Sequence, residues 1–179
     1  MVEKTRTRWG NAWKWIIIVL FAAGLILIAR RYITLVAVTG ESMDPTYKNG
    51  ELVIGVSPDI RYPELRQVAV VKGESTKGQT LIKRIVALPG DTIVIENGYF
   101  YRNGKKVEEK YPLIEDSGIL NMALKLGSDE YFVLGDNRNS SMDSRTFGPV
   151  KKEDIRYIVT DNREEKMYHS FYINRIDYE

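Results

Sequence analysis

The chain has 179 residues, enough for one domain with a real core and tight for two. It lacks cysteine, which excludes disulfide scaffolds, thiolate zinc sites and cysteine nucleophiles, and its single histidine, His169, excludes a multi-histidine metal site while leaving one general base or an ordinary surface residue open. The formal charge of +2 divides unevenly: residues 1–31 hold six bases and one acid, and the remaining 148 hold 20 bases and 23 acids, a net of −3 that gives the body no basic face for nucleic acid.

Residues 1–12 form a short basic segment, and from Trp13 the chain reads WKWIIIVLFAAGLILIA, apolar without interruption from Trp15 to Ala29. Fifteen helical residues cover about 22 Å, short of the ~30 Å hydrocarbon core, so a spanning helix must use its edges. Trp13 and Trp15 fit an interfacial belt, and Lys14, Arg30 and Arg31 can extend their heads to either surface. We expect a transmembrane anchor over 13–31, with Lys4, Arg6, Arg8 and Lys14 outnumbering Arg30 and Arg31 and so holding the N-terminus in the cytoplasm. A cleaved secretory signal shares the basic start, but RRYITLVAV offers no A-x-A exit with a polar approach and leads into β-rich sequence. A buried core helix fits poorly, because the apolar residues run all the way round.

From residue 32 the punctuation is that of an extracytoplasmic β domain, 32–179, with strands expected over 32–38, 51–56, 68–72, 79–88, 92–96, 99–102, 130–134 and 154–160. Two Asn-Gly pairs flank the aromatic strand of ENGYFYRNGKKV and predict a hairpin or meander, inside a smaller insertion over 92–130. Residues 111–130 read as a surface excursion with a short helix. The tail, 159–179, carries no assignable feature. The fold class is therefore mainly β: an N-terminal transmembrane helix, then an antiparallel sheet domain with a hairpin-containing insertion.

Three polar features stand out. GESMDPT places Ser42 soon after the apolar run, yet a serine hydroxyl is a poor nucleophile unless a base takes its proton. Without cysteine, and with one remote histidine, the bases available are carboxylates and lysines. Lysine serves only when its pKa, about 10.4, is lowered by burial. In GQTLIKRIVALPGD, period-2 alternation sets Leu81, Lys83, Ile85 and Ala87 on one face and Ile82, Arg84, Val86 and Leu88 on the other, so Lys83 stands in an apolar row; a lysine on an edge strand with its head in water is the alternative. GDNRNSSMDSRTFGPV, 135–150, is dense enough in arginine, aspartate, serine and asparagine to cross-brace a loop, or is a solvated turn.

Together GESMDPT, NGELVIG, KRIVALPGD and GDNRNSSMDSRTFG, in that order behind an apolar anchor, resemble the bacterial type I signal peptidases, membrane serine proteases of the Ser/Lys kind. The resemblance runs from the anchor to about residue 158, and the reduced insertion is most like the Gram-positive members. It implies Ser42 as nucleophile and Lys83 as general base. It also implies that Met43 and Pro45 hold the serine turn, with Met43 facing the groove, and that Ser141 bonds the lysine amine. Arg84 with Asp136, and Asp143 with Arg145, would be supporting ion pairs. Some members carry a hydroxyl two positions before the nucleophile as an oxyanion donor; Gly40 stands there, so the Ser42 N–H would carry most of that stabilisation. Shallow apolar pockets near Val38, Gly40, Met43, Leu81 and Ile82 would accept small-x-small sites.

The implied partners are secretory preprotein signal peptides, the lipid bilayer and the secretion translocon. No cofactor, metal or nucleotide site is expected. Self-cleaving repressors share the chemistry but carry a DNA-binding head where this chain has its apolar run. Two further readings stay open: a non-cleaving membrane-anchored assembly factor of the same fold, and a peptidase dedicated to one surface assembly such as a pilus. Intact Ser42 and Lys83 favour activity.

Overall fold

The computed structural model describes residues 12–160 other than 112. The basic N-terminal segment, the tail and His169 lie outside the described residues, except for the ends at Ala12, Val159 and Thr160. Helix α1, Ala12–Tyr32, runs directly into strand β1, Ile33–Ala37, and β2 follows at Leu52–Val56. Strands β3, Val68–Val71, and β4, Leu81–Ala87, precede a meander of β5, Thr92–Glu96, β6, Tyr99–Arg102, and the two-residue β7, Lys105–Lys106. The chain then passes a 3-10 turn at Gly118–Asn121, β8 at Leu124–Lys125 and β9 at Glu130–Leu134. A single helical turn, α2, Ser144–Phe147, leads to β10, Val150–Lys151, and β11, Ile155–Val159.

The strands form two antiparallel sheets, one in the order β1-β2-β11-β3-β4-β9-β10 and a smaller one in the order β7-β6-β5-β8. The eight strands expected from alternation are all present. The two-residue strands were missed because such short pieces have no periodicity to read. Residues 111–130 differ from the expectation of a surface excursion: Ile114, Leu120 and Leu126 are buried with Ile93, Ile95, Phe100, Phe132 and Leu134 between the small sheet and the end of the large one. Among the described residues of this stretch few apolar side chains turn inward, with Leu124 packing partly buried beside these three, and irregular backbone gives them no period.

The alternation expected along β4 also fails at its far end. The pairing of β4 with β9 shifts between Ile85 and Ala87, a bulge that adds one residue to β4. Val86 and Ala87 both pack into the small-sheet cluster, whereas Leu88 joins Leu81 and Ile85 in the cluster with Val133 and Ile155. Lys83 precedes the bulge.

Among the described residues α1 is the one helix long and apolar enough to cross a membrane, and no residue of its apolar span is buried by protein. That exposed apolar surface continues onto the outer face of the β1–β2 ribbon, where Leu35 is 69% and Leu52 66% exposed beside Ile33 and Ile54. Such an area suits contact with lipid and not water.

Candidate active site

Ser42 sits in a tight turn just past β1. Val38 N–H donates to the Glu51 carbonyl and Gly50 N–H to the Val38 carbonyl, both at 2.8 Å, closing the loop on itself. Within it Asp44 N–H donates to the Glu41 carbonyl at 3.1 Å and Tyr47 N–H to the Met43 carbonyl at 2.9 Å. Gly40, at φ +81°, takes the left-handed conformation that starts the turn, and its N–H donates to Asn49 Oδ1 at 3.0 Å. Met43 and Tyr47 anchor the turn by burying their side chains with Val38, Val53 and Val70. Met43 thus sits in the core beneath the serine, where the resemblance had it facing a groove. Ser42 above it is half-buried.

Lys83 comes from the centre of β4 and is 2% exposed. Its Nζ donates to Ser42 Oγ at 2.7 Å and to the Ile82 carbonyl at 3.0 Å. Burial pushes its pKa from the ordinary 10.5 down to about 8, against the opposing pull of the Asp143 and Asp136 carboxylates. At neutral pH about a tenth of the population then holds a free amine lone pair beside the hydroxyl. The edge-strand alternative does not hold, since β3 and β9 flank β4 on both sides.

The polar loop after β9 crosses over the serine turn. A Cβ on Gly135 would fall 2.5 Å from the Ser42 carbonyl oxygen and 2.2 Å from Ser141 Oγ, so the approach requires glycine. Asp136 is fully buried and accepts two bonds from Arg84, Nε to Oδ1 at 2.7 Å and Nη2 to Oδ2 at 2.6 Å. Asp143 caps α2 through the Arg145 N–H at 3.2 Å, takes two further bonds from the Arg145 guanidinium at 2.8 Å, and accepts the Gly135 N–H at 3.1 Å. Ser141 is near but unengaged: its Oγ is buried and makes no hydrogen bond among the described residues, the amine donating instead to Ser42 Oγ and the Ile82 carbonyl. Leu81 and Ile82 are partly exposed and Gly40 is exposed, whereas Val38 is buried with Met43.

Several residues escaped the sequence reading. Arg138 is buried and makes two bonds to Glu109, donates to the Gly135 carbonyl at 3.0 Å and stacks 4.5 Å from the Tyr111 ring. Asn137 donates through its main chain to the Ser42 carbonyl at 3.1 Å and through its side chain to the Glu41 carbonyl at 3.3 Å. Density of polar residues flagged the block that holds Arg138 and Asn137; nothing in sequence pointed to Glu109 or Tyr111, which meet it only through the fold. Among the described residues no three carboxylates or histidines converge on a possible metal position.

Residues 12–159 match the family described as signal peptidase, peptidase S26. The chain is 35% identical over 170 residues to a signal peptidase I P of Bacillus subtilis subsp. natto, covering 87% of this chain and 90% of that one. It is 33% identical over 176 residues to a signal peptidase I of Bacillus caldolyticus, covering 87% and 94%. With a signal peptidase IB of Staphylococcus aureus the identity is 32% over 168 residues, covering 79% and 84%. A crystal structure of a signal peptidase I from Enterococcus faecalis superposes with a TM-score of 0.46 at 27% identity, over 56% of this chain and 98% of that chain.

Proposed function

The chain belongs to the signal peptidase S26 family, and from that premise we propose that Ser42 and Lys83 are the nucleophile and general base of a membrane-anchored peptidase that frees translocated preproteins from their signal peptides. The observation that carries the assignment is the 2.7 Å contact between Ser42 Oγ and a buried lysine amine whose pKa is lowered to about 8.

Family membership makes the chain a serine peptidase whose substrates are preproteins bearing signal peptides. In the proposed mechanism neutral Lys83 takes the Ser42 proton as Oγ attacks the scissile carbonyl. The resulting ammonium returns that proton to the leaving amine, and the acyl-enzyme is hydrolysed by a water that the amine, neutral again, deprotonates. The Ser42 N–H donates to no acceptor among the described residues, which leaves it for the oxyanion of both tetrahedral intermediates. Gly40 N–H is engaged by Asn49 and is not a second donor in this geometry. Asp143 and Asp136 hold the lysine pKa near working pH, and their ion pairs with Arg145 and Arg84 hold the loop over the serine. Ser141, on the same loop with a buried Oγ that makes no hydrogen bond among the described residues, is the hydroxyl assigned to steady the amine in this reading. Leu81 and Ile82, with the edge of the Val38–Met43 cluster beneath Gly40, form the shallow walls that select small-x-small sequences.

In this reading residues 1–12 are cytoplasmic, 13–31 span the bilayer and the β domain stands outside, with Leu35, Leu52 and their neighbours resting on lipid. Ser42 lies ten residues past the end of α1, so the site sits at the membrane surface, where the translocon delivers a preprotein still held by its signal peptide. Incubation of the full chain in lipid with a labelled A-x-A preprotein is expected to yield a single cut after that site. Because the base must be neutral, kcat/KM should fall about tenfold per pH unit below about pH 8 and level off above it. Binding of the preprotein without any cut would replace the peptidase by an assembly factor. A cut with an acid limb near pH 4 would assign the base to a carboxylate.

A further inference from the structure

Ser42 lies between two peptide planes, and one residue of the late loop grips both. The Asn137 main-chain N–H holds the Ser42 carbonyl at 3.1 Å, and its side-chain Nδ2 holds the Glu41 carbonyl at 3.3 Å, across 96 positions of sequence. The Glu41–Ser42 bond is trans, since among the described residues only Asp44–Pro45 is cis. In a trans peptide the C=O and the N–H leave opposite edges of one rigid plane, so fixing the carbonyl fixes the N–H. Besides Asn137, the Glu41 carbonyl accepts, among the described residues, the Asp44 N–H of its own turn, which fixes the plane relative to the turn. The Asn137 side chain is the bond that reaches this carbonyl from outside the turn, adding to the hold of the buried Met43 and Tyr47.

We propose that Asn137 is a positioning residue for the oxyanion: by gripping the Glu41 carbonyl it aims the Ser42 N–H at the place where negative charge develops. The proposal rests on Ser42 as the nucleophile. A donor in a fixed direction stabilises the intermediate without reorganising, whereas a plane free to rotate must be reoriented within the barrier. The substrate in its ground state makes no demand on that donor, so the effect belongs to kcat. The main-chain bond to the Ser42 carbonyl survives any side-chain change at 137, which confines the lesion to one plane. Lys83 makes no hydrogen bond to Asn137.

The test uses the full chain in lipid, with Asn137→Ala, which deletes the donor, and Asn137→Asp, which sets an acceptor of the same shape against the carbonyl. Both are read at a pH above the lysine limb. Three quantities are measured: kcat and KM on an A-x-A preprotein, affinity for a peptide aldehyde ending in A-x-Ala, and affinity for an uncleavable peptide of the same sequence. The aldehyde carbon bonds to Ser42 Oγ, the serine proton passes to Lys83, and the former carbonyl oxygen becomes the oxyanion. In Asn137→Ala we expect kcat and aldehyde affinity to fall together by about 10- to 100-fold with KM and peptide affinity unchanged, and a larger fall in Asn137→Asp. The acid limb of Asn137→Ala should stay near pH 8. Unchanged kcat, or equal weakening of aldehyde and peptide, overturns the proposal. The ratio of those two affinities is independent of the folded fraction, so a poorly folding variant still decides it. If the wild type forms no aldehyde adduct on Ser42, the nucleophile assignment fails; a wild-type adduct with an unchanged ratio in both variants fails the role of Asn137 alone.

Discussion

Ser42→Ala and Lys83→Met are each expected to abolish preprotein cleavage, with losses of about 10⁴-fold or more, while both variants still fold and bind the preprotein. Groups that act as one unit are not additive, so the double variant should be no slower than either single one. Methionine matches the lysine stem in length and suits a buried site, so the change deletes the amine and little else. Lys83→Arg separates a base from a mere cation: a guanidinium stays protonated at any working pH and should be equally inactive. Lys83→Met also carries a signature in stability. The folded-state pKa of about 8 lies below the ordinary 10.5, so folding disfavours the ammonium. The resulting cost, about 3 kcal/mol, is full below pH 8, shrinks as pH rises, and is gone above about pH 10.5. The variant should therefore melt above the wild type at pH 7, with the gap closing toward pH 10. Cleavage by Lys83→Met at more than a hundredth of the wild-type rate would remove the lysine from the mechanism.

Asp136→Ala should be the most damaging change to the fold that leaves the Ser42–Lys83 pair in place. Arg84 and Asp136 are 3% and 0% exposed, and removing the carboxylate takes the counter-charge and two hydrogen bonds from a buried guanidinium that keeps its bond to the Arg66 carbonyl. Breaking such a pair costs about 3–5 kcal/mol, a large part of the 5–15 kcal/mol that holds a domain of this kind together. Converting both partners, Arg84→Met with Asp136→Leu, removes the buried charge that has lost its counter-ion and should recover most of the melting temperature. Activity responds separately. Asp136 is one of two carboxylates that raise the Lys83 pKa, and its loss leaves Arg84 uncompensated nearby; both effects disfavour the ammonium. The acid limb of the folded Asp136→Ala fraction should therefore move below pH 8. A limb at higher pH, or a double variant no more stable than Asp136→Ala, would contradict this account.

The parts of the fold visible in sequence were those with a short period or a single cause. Alternation placed β1 to β6, β9 and β11, because residues of one strand face share an environment whatever lies across from them. Beside them, Asn97-Gly98 and Asn103-Gly104 marked the tight connections of the small meander, all four residues having positive φ. The same logic broke at β4, where the bulge at Ile85–Ala87 sent Ala87 to the opposite cluster and Leu88 in its place. A bulge depends on the partner strand, and alternation within β4 has no access to β9. The burial of Ile114, Leu120 and Leu126 within the stretch read as a surface excursion was not visible for the related reason that irregular backbone has no period at all.

By itself the sequence determined that the chain has an apolar N-terminal helix before a β domain, that no cysteine and no histidine cluster is available, and that a serine and a lysine in an apolar row are the residue types left for nucleophilic chemistry. Composition and alternation suffice for these, since each concerns one residue or one strand at a time. Only the tertiary structure decided that Lys83 Nζ meets Ser42 Oγ at 2.7 Å across 41 positions, and that Asn137 holds both carbonyls flanking the serine. It also decided that Arg138 finds its carboxylate on Glu109, 29 residues away. A lysine becomes a base only when water is excluded around it and a hydroxyl is delivered to it, and both conditions are made by segments far apart in sequence, through the pairing of β4 with β3 and β9.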